Sequence, residues 1–253
     1  MPVTIIMRDK KGKCVGNPIS DKDQNWKGLE STIVTLHNLP IDKRHCSIEI
    51  TSEEIEGDLL LNYFKVLNPA NFQGIKVKGS FSNHSGNFIG GIYLDNAQIN
   101  KMYLGSIIGY EGYTEYAESI INESNAVLTG TKCNELHILG QIRVFGDLKL
   151  NNMDIGLCRI GNYDTKNNVD LPIIYNSVDF SGTHIDNLQW KNGVGIKGGK
   201  LNLNGTIIEN CIFENMNFFT DRGFKPIQYQ INEETKLPDS FKYYLDKHAI
   251  LSQ

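Results

Sequence analysis

Between Leu201 and Thr220 the apolar and polar positions fall into consecutive five-residue units: Leu201-Asn-Leu-Asn-Gly, Thr206-Ile-Ile-Glu-Asn, Cys211-Ile-Phe-Glu-Asn and Met216-Asn-Phe-Phe-Thr. Leu203, Ile208, Phe213 and Phe218 share the third place. Such a period belongs neither to a helix, where apolar residues recur at three and four, nor to a long strand, where they recur at two. It suits a chain that turns a corner once per unit. The first and third residues of a unit are two apart, so a short extended segment points both the same way, toward an interior. The closing places are rich in Asn and Gly, which tolerate positive φ, and Asn can also bond its own backbone in a tight turn. Coils of this kind stack their strands in parallel, about 4.8 Å apart, around a narrow core.

The same phase recurs along the chain. Asn87-Phe-Ile-Gly-Gly, Ile92-Tyr-Leu-Asp-Asn, Ala97-Gln-Ile-Asn-Lys and Met102-Tyr-Leu-Gly-Ser place Ile89, Leu94, Ile99 and Leu104 inward, one full coil if four units close a turn. Tyr93 and Tyr103 then point outward on opposite faces. Leu148-Lys-Leu-Asn-Asn, Met153-Asp-Ile-Gly-Leu and Cys158-Arg-Ile-Gly-Asn follow, then Val178-Asp-Phe-Ser-Gly, Thr183-His-Ile-Asp-Asn and Leu188-Gln-Trp-Lys-Asn. Six-residue steps occur at Ile75, Phe81, Leu136 and Ile142, and a weak period runs through Ile50, Ile55 and Leu60. Leu59–Phe64 suits either a strand or a short helix.

Interruptions divide the chain. Residues 1–45 lack the period; alternation at Val3 and Ile5 and the run Ile33-Val-Thr-Leu predict strands of an N-terminal cap covering an open solenoid end. Residues 46–220 read as the solenoid, with insertions near 110–132 and 163–176. In the first, Ala117, Ile120 and Ile121 stand at helical spacing and predict a short inserted helix; the second is a polar loop. Residues 221–253 form a C-terminal cap in which Asp239 caps a helix through Leu251, with Phe241, Tyr244, Leu245 and His248 on one face.

The units resemble those of pentapeptide-repeat proteins, in irregular and divergent form. That family builds a four-sided right-handed β-helix with a large apolar residue at the centre and a small one two places earlier. Leu201 and Met216 stand where the family favours Ala, and Asp or Asn rarely precedes the central residue, which predicts a wider or less regular helix than the family norm. The expected fold is mainly β: a right-handed parallel β-helix with short inserted and C-terminal capping helices. The resemblance also implies functions, since similar proteins include DNA-mimicking partners of DNA gyrase and bacterial effectors delivered into host cells.

Composition adds exclusions. A formal charge of −4 over 253 residues, with Lys and Arg dispersed, offers neither a nucleic-acid stripe nor a dense acidic block. Lys101, Lys149, Arg159 and Lys191 on outward places argue against DNA mimicry. No apolar run is long enough for a membrane helix, and the opening residues lack the pattern of a cleaved leader. The expected location is cytoplasmic, or a host cell reached without a cleavable signal peptide. Cys14, Cys46, Cys133, Cys158 and Cys211 lack paired spacing, and Cys158 and Cys211 fall on inward places, so reduced structural thiols are expected.

Motifs carrying chemistry are sparse. Gly193-Val-Gly-Ile-Lys-Gly matches a dinucleotide-binding string, but a repeat unit follows where a helix is required. The histidines His37, His45, His84, His137, His184 and His248 show no metal spacing; His45 with Cys46 and Cys133 with His137 come nearest. Glu209 and Glu214 occupy equivalent places around a corner. Asp154, Asp179 and Asp186 point outward and would line a glycan groove if stacked coils gathered them. No catalytic, cofactor or metal residues are assigned. The leading expectation is a non-catalytic protein that binds another protein, as an effector or inhibitor. A β-helical enzyme acting on carbohydrate or acyl donors, a gyrase-binding DNA mimic and a structural fibre or phage component are the alternatives.

Overall fold

A computed structural model describes residues 4–8, 19–20, 34–35, 47–50, 54–55, 57–60, 65–66, 70–83, 87–88, 90–105, 119–121, 125–139, 142–161, 172–191, 193–214, 218–219 and 226–252. Cys14, Cys46, His37, His45, His84, Ile89, Ala117, Met216 and the loop residues 163–171 lie outside them, as do the side chains of Glu214 and Phe218. The protein is mainly β. Among the described residues the strands form three sheets, of eleven, nine and seven strands.

The chain visits the sheets in rotation. Ala126–Val127 joins the eleven-stranded sheet, Lys132–Leu139 the nine-stranded and Ile142–Val144 the seven-stranded; Leu148–Lys149, Asp154–Gly161 and Ile173–Ile174 repeat the circuit. Each strand pairs in parallel with its counterpart one circuit away. This order is consistent with a β-helix-like solenoid. Equivalent residues are 22 apart where nothing is inserted, as between Asn125 and Asp147, but 34 apart between Asn100 and Asn134 and 30 apart between Asp147 and Ser177.

Pairs of residues two apart fill the core, both those the repeat pattern marked, such as Leu136 and Ile138, and those within and beside the expected insertion, such as Ala126 and Leu128. In one circuit Ala126 and Leu128, Thr131 and Cys133, Leu136 and Ile138, and Ile142 and Val144 all lie in the core. Four pairs share three sheets because Cys133, Leu136 and Ile138 lie on one eight-residue strand, Lys132–Leu139, which Thr131 immediately precedes. Burial along it jumps three residues, from Cys133 to Leu136, and pairing with the next strand skips Asn134 and Gly156. The corner expected between two units is therefore a bend within a continuous strand.

A second corner is made by one left-handed residue per circuit. Gly74, Asn96, Gly130, Asn152, Gly182 and Gly205 have φ between +55° and +70°, the region that Gly and Asn enter most readily. Asn71, Asp179 and Asn202 each accept a backbone hydrogen bond from the residue two places on, which fixes the approach to the turn. Just after it, the buried Thr131, Thr183 and Thr206 donate their hydroxyls to Leu94, Leu150 and Phe180 carbonyls of the preceding circuit. A hydroxyl is thereby satisfied inside the core, where leaving it unpaired would cost about 1–3 kcal/mol.

Several expectations are corrected. Ser119–Ile121 is a strand paired with Ile142–Val144, so Ile120 and Ile121 belong to the ladder and not to an inserted helix. β-branched residues suit that pleated position. Leu59–Leu60, where strand and helix were both open, is a strand. Ala126–Val127 and Ile173–Ile174, inside the two expected insertions, occupy regular ladder positions. At the C-terminus the helix α1 spans Asp239–His248; Pro238 precedes it without a side-chain cap bond, and Asp239 lies in the first turn. Ala249–Leu251 then pairs with Ile227–Gln230 as a further parallel strand. At the other end Thr4–Arg8 pairs antiparallel with Ser47–Ile50 and so changes the direction of the stack at its edge.

Candidate binding groove

The outer face of the nine-stranded sheet carries an open groove of about 730 Å³. It lies over the first half of the long strands, where alternate residues bury Val77, Ile99, Cys133, Ile155 and Ile185 in the core and leave their flanking residues outside. Register converts these flanks into two rails. One runs Lys76, Gln98, Lys132 and Asp154, each paired with the next, and its register continues beyond the groove to His184. The other lies at the bends and includes Lys78, Asn100, Asn134, Gly156 and Asp186. Gly156 notches this second rail; a Cβ there would stand 2.8 Å from the Asn134 carbonyl oxygen.

The chemistry changes along the groove. Lys76 and Lys78 mark one end, where Lys78 Nζ lies 2.6 Å from Glu54 Oε1. That contact and a direct hydrogen bond hold the Glu54 carboxyl below its ordinary value. Amides follow, with Asn134 Nδ2 donating to Asn100 Oδ1 at 2.9 Å. Lys132 Nζ stands 3.9 Å from Asp154, a loose exposed pair of little energetic weight.

The acidic end surrounds His184. Its Nδ1 is 3.7 Å from Asp154, and its Nε2 is 3.7 Å from Asp186 and 3.5 Å from Glu209, residues of three adjacent strands. These separations are too long for hydrogen bonds, and all four side chains are about half exposed. The arrangement presents three carboxylates to a positively charged or hydroxyl-bearing group of a bound ligand. Asp154 and Asp186 are thus brought together as a groove requires, whereas Asp179 lies apart, in a crevice of about 400 Å³ with Lys200, Asn202, Gln228 and Gln230. Sequence reading did not single out Lys76 or Lys132 for this groove, or His184 beside its acidic end. Their signal was the place just before the central apolar residue, read at the true coil length.

Beyond the bend, the same strands carry a second polar cluster. Lys101 Nζ pairs with Glu135 at 2.9 Å, Glu135 reaches His137 Nε2 at 3.1 Å, and the His137 ring stacks on Tyr103 with centroids 4.7 Å apart. Next along, Arg159 Nε donates to Gln189 at 3.0 Å. The hydrogen bond from Lys101 is the main cause that lowers the Glu135 carboxyl. Burial lowers the His137 imidazole, outweighing the opposing Glu135 contact. Cys133 belongs instead to the core, where burial pushes its thiol up to about 12; Cys158 is raised for the same reason. Cys133 and His137 therefore form no shared site.

The glycine string is also structural: Val194–Ile196 is a buried strand, and the strand Lys200–Asn202 follows it. Among the described residues no group of three or more His, Cys, Asp or Glu side chains has metal-holding geometry, and no helix is long and apolar enough to cross a membrane. Comparison of the chain with protein-family models, curated proteins and solved structures finds no match.

Proposed function

We propose that the protein is a non-catalytic binding protein, built as a closed right-handed β-helix of the pentapeptide-repeat kind, whose polar groove receives an extended ligand. The observation that carries this reading is the pair of rails held in register across the stacked strands. Solenoids provide long, rigid surfaces in which each coil contributes one increment of contact. The handedness follows the rule that parallel crossover connections within one sheet are right-handed in about 98% of cases. The change from Lys76 and Lys78 to Asp154 and Asp186 disfavours a uniformly acidic DNA mimic.

A second reading, a carbohydrate-active enzyme, is favoured by His184 among three carboxylates. Paired acids and bases in a groove are the general requirement for glycoside hydrolysis.

The binding reading is tested by capture from bacterial and eukaryotic lysates on immobilised protein, beside a Lys132→Glu/Asp186→Lys variant with unchanged melting temperature. Retention of a macromolecule by the parent and its loss from the variant is the expected result. Identical retention by both proteins, or none by either, would overturn it. Turnover of a glycan that vanishes in His184→Ala would favour the enzyme instead.

A further inference from the structure

We infer, building on the reading of the groove as a binding surface, that its ligand is a linear polysaccharide lying along the stacking direction, across the strands. The groups on each rail recur once per strand, about 4.8 Å apart. Gln98, Lys132, Asp154 and His184 follow one another in this way, and Asn100, Asn134 and Asp186 form the facing rail. A chain of linked pyranose rings repeats at nearly that interval, so successive rings meet equivalent pairs of groups. An extended peptide presents side chains to one face only every two residues, about 6.7 Å. It slips out of register within two strands.

The rail chemistry agrees with this choice. Amides donate and accept, carboxylates accept, and ammonium groups donate, which together match the hydroxyls of a sugar. Asn134 already donates to Asn100, leaving the outer faces of this amide pair toward the groove. Nucleic acid is disfavoured by Asp154 and Asp186, which would oppose its phosphates, and by a lining without aromatic rings for base stacking. The order of charges also sets a direction. Carboxylate-bearing sugars belong at the Lys76–Lys132 end, while amino or neutral sugars belong beside Asp154, Asp186 and His184.

Isothermal titration calorimetry with hyaluronate, chitosan and cello-oligosaccharides of increasing length tests this. Affinity for at least one series should rise with length until the oligomer spans the strands from Lys76 to Asp186. For hyaluronate or a cello-oligosaccharide it should fall by about tenfold or more in Lys132→Glu, a change of about 1.4 kcal/mol, and for chitosan the same fall is expected in Asp186→Lys. Asn134→Ala, on an exposed rail, provides a further variant, and thermal melting verifies that all remain folded. If none of the three series binds while the lysate capture retains a protein through the groove, the glycan assignment is overturned and the binding reading stands. If neither glycan nor protein depends on the groove, both fall. Appearance of shortened oligosaccharides in the cell would support the glycan ligand and overturn the non-catalytic role.

Discussion

His137 shows how one residue can make stability depend on pH. Its ring is 4% exposed, stacked on Tyr103, with Glu135 beside it and the cations Lys101 and Arg159 nearby. Burial outweighs the carboxylate and lowers its pKa below 6.5 in the folded chain. Above 6.5 both the folded and unfolded states hold a neutral ring, so stability is complete. As pH falls below 6.5 the unfolded chain binds the proton first, and stability declines until the folded-state value is passed. Urea unfolding between pH 7 and 5 should show this decline, and His137→Gln should flatten it. Glu135, lowered chiefly by Lys101, adds a loss at more acidic pH, below 4.5, which the variant should retain in part.

At the scale of an element, helix α1 has a weakly determined start and a strongly determined face. No side chain caps it, although Asp239 in its first turn and Lys247 and His248 in its last complement the helix dipole. Phe241 and Leu245 are buried, and Phe213 of the Ile207–Glu214 strand meets Phe241 at 4.9 Å and Tyr244 at 5.7 Å between ring centroids. The helix thus covers the last long strand, as expected of a lid. Phe241→Ala should destabilise the protein by about 3–5 kcal/mol, measured by denaturant unfolding. An equal loss in Tyr243→Ala, whose ring is 70% exposed, would contradict this account of the cap.

For the whole molecule, parallel register makes one circuit nearly interchangeable with the next. Lys132 pairs with Asp154 and with Gln98, so removing residues 132–153 places Asp154 where Lys132 stood. That deletion should leave a folded, less stable protein with native-like far-ultraviolet circular dichroism. Removing residues 132–152 instead shifts the following strand by one place and turns its core residues outward. Its product should lose cooperative melting. Equal behaviour of the two deletions would show that register is not what holds the stack.

Hydrophobic phase alone determined which residues face inward, because a two-residue spacing between corners leaves little choice of side. Leu203, Ile208, Leu94, Ile99 and Ile155 were legible for this reason and are buried. So was the role of Gly205 and Asn96 at corners, since few other residues tolerate their φ. Phase could not reveal which corners bend within one strand, because a bend and a break leave the same inward pairs. Nor could local spacing show that Ile120 and Ile121 join a strand, where pairing with Ile142–Val144 prevails over helical spacing. The groove was the least legible feature. Lys132, Asp154 and His184 become neighbours only through steps of 22 and 30 residues, and such steps are set by the stacking of coils rather than by any local pattern.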